Sequence, residues 1–200
     1  WGGNYWFQNT RLPYWTMYTA GDFDMMQPFF DLYVKALPLA KYRTQRYFGH
    51  AGAYFTEVMT PWGSYLPDNY GWDRKGKPDG VSDNLYIRYY WQAGLELSAM
   101  MFAYLEYTGD TARFRRTMAP LIVEVTTFYE RHYPRDAKGM LRIEPTQALE
   151  TYQKGVTNPT PEISGLHHVL DGIARHARLF GDEGLIRAAV AFHRRVPPVP

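Results

Sequence analysis

Apolar residues recur along this chain at the spacing of α-helices. In residues 110–132 they follow intervals of three and four, so that they form one stripe on a helical surface. The opposite face carries Arg113, Arg116 and Glu124, which is typical of a face in contact with water. Pro120 lies inside this stretch. Because proline removes a backbone donor and clashes with the preceding turn, we expect it to kink the helix or to divide it in two.

The preceding stretch, residues 81–108, is apolar on nearly every side. A helix without a polar face is usually buried, so this one is predicted to lie inside the domain and the 110–132 helix outside it. An earlier helix is predicted over 27–47, and amphipathic helices are predicted over 161–180 and 182–195. The sequence therefore predicts an all-α domain with an inner and an outer layer of helices.

The dipeptide Gly-Asp stands between apolar stretches three times, in "YTAGD" (18–22), "YTGD" (107–110) and "LFGD" (179–182). A glycine closes a helix readily because it adopts the left-handed conformation without strain. The aspartate that follows can cap the next helix through its side-chain oxygen. The three corners predict consecutive helical hairpins.

Three stretches lack a clear helical pattern: residues 48–80, residues 133–160 and the opening residues 1–18. A strand-like pattern is confined to a short piece at 141–145. Structureless loops of this length are uncommon in compact domains and usually have a function, because a rigid scaffold positions their side chains. We therefore expect the functional residues in these three stretches.

Bulk composition excludes several classes of protein. The 200 residues are 46% hydrophobic, which suffices for a sizeable core, and the net charge of +2 comes without the clustered basic face of a nucleic-acid-binding protein. No apolar stretch is long enough to span a bilayer. Cysteine is absent, which excludes disulfides and thiolate metal sites. The chain opens on "WGGNYWF" without an initiator methionine, and we interpret residues 1–200 as an incomplete domain of a longer protein.

Aromatic residues make up 17% of the chain, and many stand in loop-like segments such as "PWGSYLPDNYGWD". Rings in loops often form ligand surfaces, so Trp62 is a candidate substrate contact. The segment "FQNTRLPYW" combines the hydrogen-bonding groups of Gln8, Asn9 and Arg11 with the flat ring of Trp15. This combination suits a polar ligand with a flat face, such as a sugar. The same residues also suit the start of an amphipathic helix.

Carboxylates in the second long loop are the candidates for acid–base chemistry. The sequence "LRIEPTQALETYQKGVTNPTPE" holds Glu144, Glu150 and Glu162. Leu149 and Tyr152 flank Glu150. If they desolvate its carboxyl in the fold, the pKa of Glu150 rises, which suits a proton donor near neutral pH. Glu162 follows a proline in "TPE", and this favours a charge in the first turn of a helix.

Other reactive groups form no recognisable site in the sequence. His167 and His168 are adjacent, so on a helix they point in different directions and are not expected to bind one metal ion together. The aspartates of residues 68–83 do not follow the spacing of an EF-hand. A P-loop, a GxSxG motif and an HExxH motif are all absent, so we predict no metal site and no cofactor.

Several segments, in order along the chain, resemble the catalytic domain of glycoside hydrolase family 95 or of a sister group among the six-hairpin glycosidases. The family comprises α-L-fucosidases and related α-L-galactosidases. The resemblance implies an (α/α)6 toroid, of which this chain forms a part, with long loops at one end and no cofactor. The segments that carry it cover most of the chain and are "NTRLPYW", "RYFGHAGAYFTEVMTPWG", "YYWQAGLELSAMMFAYLEYTGDTARF", "GMLRIEPTQALE" and "NPTPEISGL".

The resemblance also implies roles for particular residues. Asn9 stands where the family places an asparagine that holds the attacking water, and Glu150 stands where it places the general acid. Phe7 replaces a second asparagine, and the paired histidines of the family are missing at 54–56, which leaves the specificity for fucose open. Glu162 falls on an acidic position of a further motif. The predicted substrate-binding residues are Gln8, Arg11, Trp15, Trp62, Glu144 and Glu162.

The sequence thus predicts inverting hydrolysis of a glycosidic bond in an oligosaccharide or polysaccharide. In this prediction Glu150 is the acid, Asn9 positions the water, and the catalytic base lies beyond the last residue of the chain. One alternative is a polysaccharide lyase on a similar toroid, in which Asn9 or Arg11 neutralises a uronate and His50 or Tyr54 acts as the base. The other alternative is a non-catalytic, carbohydrate-binding helical domain.

Overall fold

The computed structural model describes residues 4–152 and 155–199, so the first three residues of the opening stretch lie outside the described part. The predicted all-α class is confirmed, because most of these residues are helical. The helices are α1 (Phe7–Ala20), α2 (Phe23–Phe48), α3 (Pro67–Tyr70), α4 (Ala93–Thr108), α5 (Thr111–Arg113), α6 (Ala119–His132), α7 (Thr160–Arg175), α8 (Ala177–Phe180) and α9 (Glu183–His193).

The long helices form three hairpins in two layers. The inner layer consists of α1, α4 and α7, with α4 packed against the other two. The outer layer consists of α2, α6 and α9, each packed against the inner helix of its own hairpin. This is the arrangement of consecutive hairpins that the toroid requires. Over the described residues, no helix is long and apolar enough to cross a membrane.

The inner helix is more buried than the outer helix that follows it, as the apolar patterns predict. Ten of the sixteen residues of α4 are buried, whereas α6 buries seven of fourteen. The predicted start of the inner helix at residue 81 is wrong, since α4 begins at Ala93. Residues before it form turns in which Asn84 accepts the backbone N–H of Tyr86 and Arg88 donates to the carbonyl of Ser82. Such local bonds between side chain and backbone compete with helix formation.

Pro120 divides the outer helix. A π-helical segment, Phe114–Met118, lies between α5 and α6, and Pro120 then stands in the first turn of α6, where its missing N–H leaves no bond unmade. The three Gly-Asp corners are confirmed as helix ends, because Gly21, Gly109 and Gly181 all adopt the left-handed conformation. Asp110 and Asp182 cap the next helix through their side chains, whereas Asp22 does not.

The opening stretch is a helix rather than the loop that its sequence favours, since α1 begins at Phe7. Just before it, strand β1 (Tyr5–Trp6) pairs antiparallel with strand β2 (Val58–Met59), and this pair was not predicted. The strand piece expected at 141–145 contributes only an isolated bridge between Arg135 and Leu141.

Two long connections remain, residues 49–92, which contain β2 and α3, and residues 133–159, which contain no helix among the described residues. Each leads from the end of an outer helix to the beginning of an inner helix. Because the hairpins are antiparallel, both connections and the beginnings of α1, α4 and α7 lie at the same end of the helical array. This end is the place for a site built from loops, as the sequence predicts.

The backbone at Gly52 gives a test of how the first connection is anchored. A Cβ built on Gly52 would lie 2.6 Å from the Cα of Phe128 in α6, and the φ of Gly52 is +106°. We expect Gly52→Ala to lower the free energy of unfolding by about 2 to 3 kcal/mol, because it adds steric clash to backbone strain.

The control for this prediction is Gly49→Ala. Gly49 also has a positive φ, +75°, but a Cβ there meets no atom within 4 Å among the described residues. Backbone strain alone should cost about 1 kcal/mol. Urea denaturation measures both, and equal losses for the two variants would contradict the proposed anchoring.

Candidate active site

Charged residues converge at the beginnings of the three inner helices. The first turns of α4 and α7 hold Glu96 and Glu162, and Arg11 lies in the second turn of α1. The two long connections bring Glu57 and Glu150 to the same end. The unpaired N–H groups of a helix beginning form a partial positive charge, which favours carboxylates there. Arg11, Glu150 and Glu162 were predicted from the sequence, whereas Glu57 and Glu96 were not.

Glu96 joins two of the predicted substrate-binding residues. Its Oε1 accepts the Nε–H of Arg11 at 2.5 Å and the indole N–H of Trp15 at 2.9 Å. Arg11 also donates to the carbonyl of Gln8, so that its guanidinium is held from both sides. Trp15 remains partly exposed, at 39%. The segment "FQNTRLPYW" is therefore a fixed polar and aromatic surface on α1.

Glu57 lies beneath this surface and is only 1% exposed. Its Oε1 accepts the backbone N–H of Gln8 at 2.7 Å, and its Oε2 has no hydrogen-bond partner among the described residues. Burial raises the pKa of Glu57 to about 8, although the Gln8 N–H and Arg11 act to lower it. The charges of Glu150 and Glu96 raise it further.

Glu162 is completely buried in the first turn of α7. Its Oε1 accepts the hydroxyl of Thr146 at 2.7 Å and the side-chain amide of Gln92 at 3.2 Å. Burial raises the pKa of Glu162 to about 7, and these two hydrogen bonds only partly offset the shift. Its placement at the start of a helix is confirmed, but it is not a surface charge. Within the described part of the chain its Oε2 has no partner.

Glu150 is half-buried in a turn of the second connection. Leu149 and Tyr152 do not enclose Glu150, because Leu149 is 47% exposed and Tyr152 is 48% exposed. Adjacent residues in an irregular turn point in different directions, so neighbours in sequence do not have to cover one another. Glu144 is also exposed, and Arg142 beside it, 2.7 Å away at Nε, lowers the pKa of Glu144.

The two remaining predicted residues are exposed. Asn9 lies in the first turn of α1, next to Gln8, with its side chain open to solvent. Trp62 is 70% exposed in a turn whose Gly63 packs against Ala36 of α2. Trp62 thus lies in a turn beside an outer helix, whereas the other predicted residues belong to α1, α7 and the 133–159 connection.

A cleft of about 450 Å³ runs between α4 and α7 and begins at this charged end. Trp15, Gln92 and Glu96 line it from α1 and α4, and Ser164 and His168 line it from α7. Its volume lies within the range of small-ligand sites, roughly 300 to 1,000 Å³. Gln92 connects the cleft to the buried Glu162 and Glu96 lines it, whereas Glu57 and Glu150 are not among the lining residues.

The described residues hold no cluster of three or more histidines, aspartates or glutamates that could bind a metal ion. His167 bonds to His193 at 2.8 Å and to the carbonyl of Pro197 at 2.8 Å. Its neighbour His168 lines the cleft between α4 and α7 instead. The two adjacent histidines therefore point apart, as their spacing predicts.

Layered helical hairpins with a carboxylate-rich site at one end define a toroid-type glycosidase domain. The model of the glycosyl hydrolase family 95 catalytic domain matches residues 1–193. Because this match covers nearly the whole chain, the chain belongs to glycosyl hydrolase family 95. A search of curated proteins found no match. Membership implies a glycoside hydrolase with a carbohydrate substrate and confirms the predicted family.

Proposed function

We propose that this chain provides the general acid and part of the sugar pocket of an inverting glycosidase that acts on an α-L-fucoside or an α-L-galactoside. The observation that supports the proposal is the gathering of Arg11, Glu57, Glu96, Glu150 and Glu162 at the beginnings of the inner helices, next to the α4–α7 cleft. Inverting hydrolysis needs a carboxylic acid on one side of the sugar and a base that activates water on the other.

In the proposed mechanism Glu150 protonates the leaving oxygen. It occupies the acid position of the family motif, and its half-buried carboxyl is accessible to substrate, whereas Glu57 and Glu162 are almost completely enclosed. Asn9 holds the attacking water from the exposed first turn of α1. The base comes from a part of the enzyme beyond this chain.

Substrate binding is assigned to the α1 surface and the cleft. The guanidinium of Arg11, fixed by Glu96, offers directed donors to sugar hydroxyls, and the ring of Trp15 offers a face to the sugar's C–H surface. Gln8 connects this surface to Glu57 through its backbone N–H. Glu144 and Glu162 complete the proposed set, with Glu162 acting through its partners Gln92 and Thr146.

The lyase alternative finds little support in the geometry. Burial raises the pKa of Tyr54 well above its ordinary value, and this side chain is 1% exposed, so it is poorly suited to remove a proton from a substrate. His50 bonds to His132 at 3.0 Å, and Arg11 is already paired with Glu96. A lyase would also produce an unsaturated uronate, whose ultraviolet absorbance hydrolysis does not generate.

The stereochemistry of the product tests the proposed reaction. We expect the full-length enzyme to release the β-anomer first from an aryl α-L-fucoside or α-L-galactoside, because water attacks from the face opposite the leaving group. Proton NMR during the first turnovers distinguishes the anomers. Initial release of the α-anomer, or absorbance of an unsaturated product from a uronate polymer, would contradict inverting hydrolysis.

A further inference from the structure

A groove lined by tyrosines lies on the outer side of α2, with a volume of about 230 Å³. We call it the α2 groove. It is formed by one face of α2 and by the part of the 49–92 connection that follows β2. The residues that line it include Tyr42, Arg43, Tyr47, Ser64, Tyr65 and Tyr70.

Three rings of the groove pack on one another. Tyr47 and Tyr70 are nearly parallel, with an interplanar angle of 6° and centroids 6.4 Å apart. Tyr70 in turn stacks on Tyr65, with centroids 4.8 Å apart. At the mouth Tyr42 is 67% exposed. The face of the Tyr42 ring is therefore open to a ligand beside a preformed aromatic cluster.

Arg43 supplies polar groups at the base of the groove and is only 5% exposed. It donates to the carbonyls of Gly63 and Tyr54, at 3.1 and 3.0 Å, and its guanidinium lies over the ring of Tyr65. Its Nε has no hydrogen-bond partner among the described residues. Since this atom is enclosed, Arg43 fixes the base of the groove through its two backbone bonds and does not itself reach a ligand.

We propose that the α2 groove is a second carbohydrate-binding site, which holds one sugar ring of a polymeric substrate outside the active site. A pyranose ring has an apolar C–H face and a rim of hydroxyls. The exposed ring of Tyr42 matches the first, and the hydroxyls of the groove tyrosines and of Ser64 match the second. Membership of a glycoside hydrolase family makes a carbohydrate the ligand to expect.

The position of the groove fits this role. Phe7, at the start of α1, contacts Phe29 and Tyr33, so the start of α1 is level with this part of α2. Tyr42 and Tyr47 lie nine and fourteen residues further along α2, which corresponds to about 14 to 21 Å at the rise of an α-helix. The groove is therefore separate from the candidate active site but at the same end of the domain. One polysaccharide chain can occupy both.

This inference rests on the proposed function only in requiring a polymeric substrate, and it is tested independently of hydrolysis. The probes are a fucosylated xyloglucan and a linear β-glucan, each cast into a native gel in which the full-length enzyme migrates. We expect the wild type to be retarded by at least one of the two. Tyr42→Ala and Tyr47→Ala should each weaken the apparent affinity about tenfold or more and leave hydrolysis of a small aryl glycoside unchanged.

The matched control is Tyr107→Ala, since Tyr107 is 56% exposed near the end of α4, at the opposite end of the array. It should not change retardation. The proposal fails if neither polymer retards the wild type, or if the groove variants are retarded like the wild type. It also fails if Tyr42→Ala converts a dimer to a monomer in size-exclusion chromatography without polymer, because a second copy of the chain would then be the occupant. Circular dichroism confirms that each variant is folded.

Discussion

Replacing Glu150 with glutamine in the full-length enzyme is expected to slow hydrolysis of a substrate with a poor leaving group by about a hundred- to ten-thousand-fold. Glutamine keeps the shape of the side chain and removes the transferable proton, and general acid catalysis is typically worth this much. A glycosyl fluoride, whose leaving group needs no proton, should react at a rate much closer to that of the wild type. The measurement is the ratio of kcat/KM for the two substrates.

The control for this prediction is Glu144→Gln in the same connection. Glu144 is exposed and paired with Arg142, so its loss should be mild on both substrates. Equal slowing of both substrates by Glu150→Gln would mean that Glu150 positions the substrate or supports the loop. If Glu162→Gln instead showed the selective loss, the buried carboxyl beside Gln92 would be the acid.

The helices were predictable because their determinants are local. A stripe of apolar residues at intervals of three and four identifies a helix whatever its partners are, and glycine ends a helix through its own backbone conformation. The turns before Ala93 were missed because the apolar residues there have a helix-like spacing. The turns are held instead by hydrogen bonds from polar side chains to the backbone, such as that between Asn84 and the N–H of Tyr86. The β1–β2 pair was missed because each strand has only two residues and the partners are far apart in sequence.

The candidate site was only half predictable, for a different reason. Motif resemblance located Asn9, Glu150 and Glu162, but the partner of Arg11 is Glu96, which lies 85 residues away. One signal existed in the sequence, since Glu96 is an acid inside a stretch that is otherwise almost wholly apolar. Glu57 is a similar case within "AYFTEVM". A carboxylate within an apolar stretch of sequence is expected to be buried, and a buried carboxylate needs a partner or a function. The sequence does not identify that partner, because it lies far away along the chain.

The second large expected effect is a pH dependence of stability that arises from the protonation of Glu57. A carboxyl with an ordinary pKa of 4.5 in the unfolded chain and about 8 in the folded chain holds its proton only in the folded state between these pH values. Since the folded state binds more protons there, the free energy of unfolding falls as pH rises from 4.5 to 8. The shift of Glu57 corresponds to a loss of about 5 kcal/mol over this window.

Glu57→Gln should remove this loss. Its amide oxygen can still accept the backbone N–H of Gln8, and the side chain stays neutral at every pH, although Arg11, Glu96 and Glu150 surround it. Relative to the wild type, the variant should therefore gain several kcal/mol of stability between pH 4.5 and pH 8, as measured by urea denaturation at both values.

Subtracting the free energy of unfolding of the wild type from that of Glu57→Gln removes the contribution of groups that titrate in both proteins. His132 is such a group, since burial lowers its pKa to about 4, and it destabilises the folded state on acidification below its ordinary pKa of 6.5. Glu144→Gln is the control, because the pKa of Glu144 is already low and its variant should follow the wild type across the window.

A stability difference for Glu57→Gln that stays constant with pH would mean that Glu57 is ionised in the folded protein. Arg11 would then compensate its charge, and Glu57 would be a structural anion that holds the start of α1.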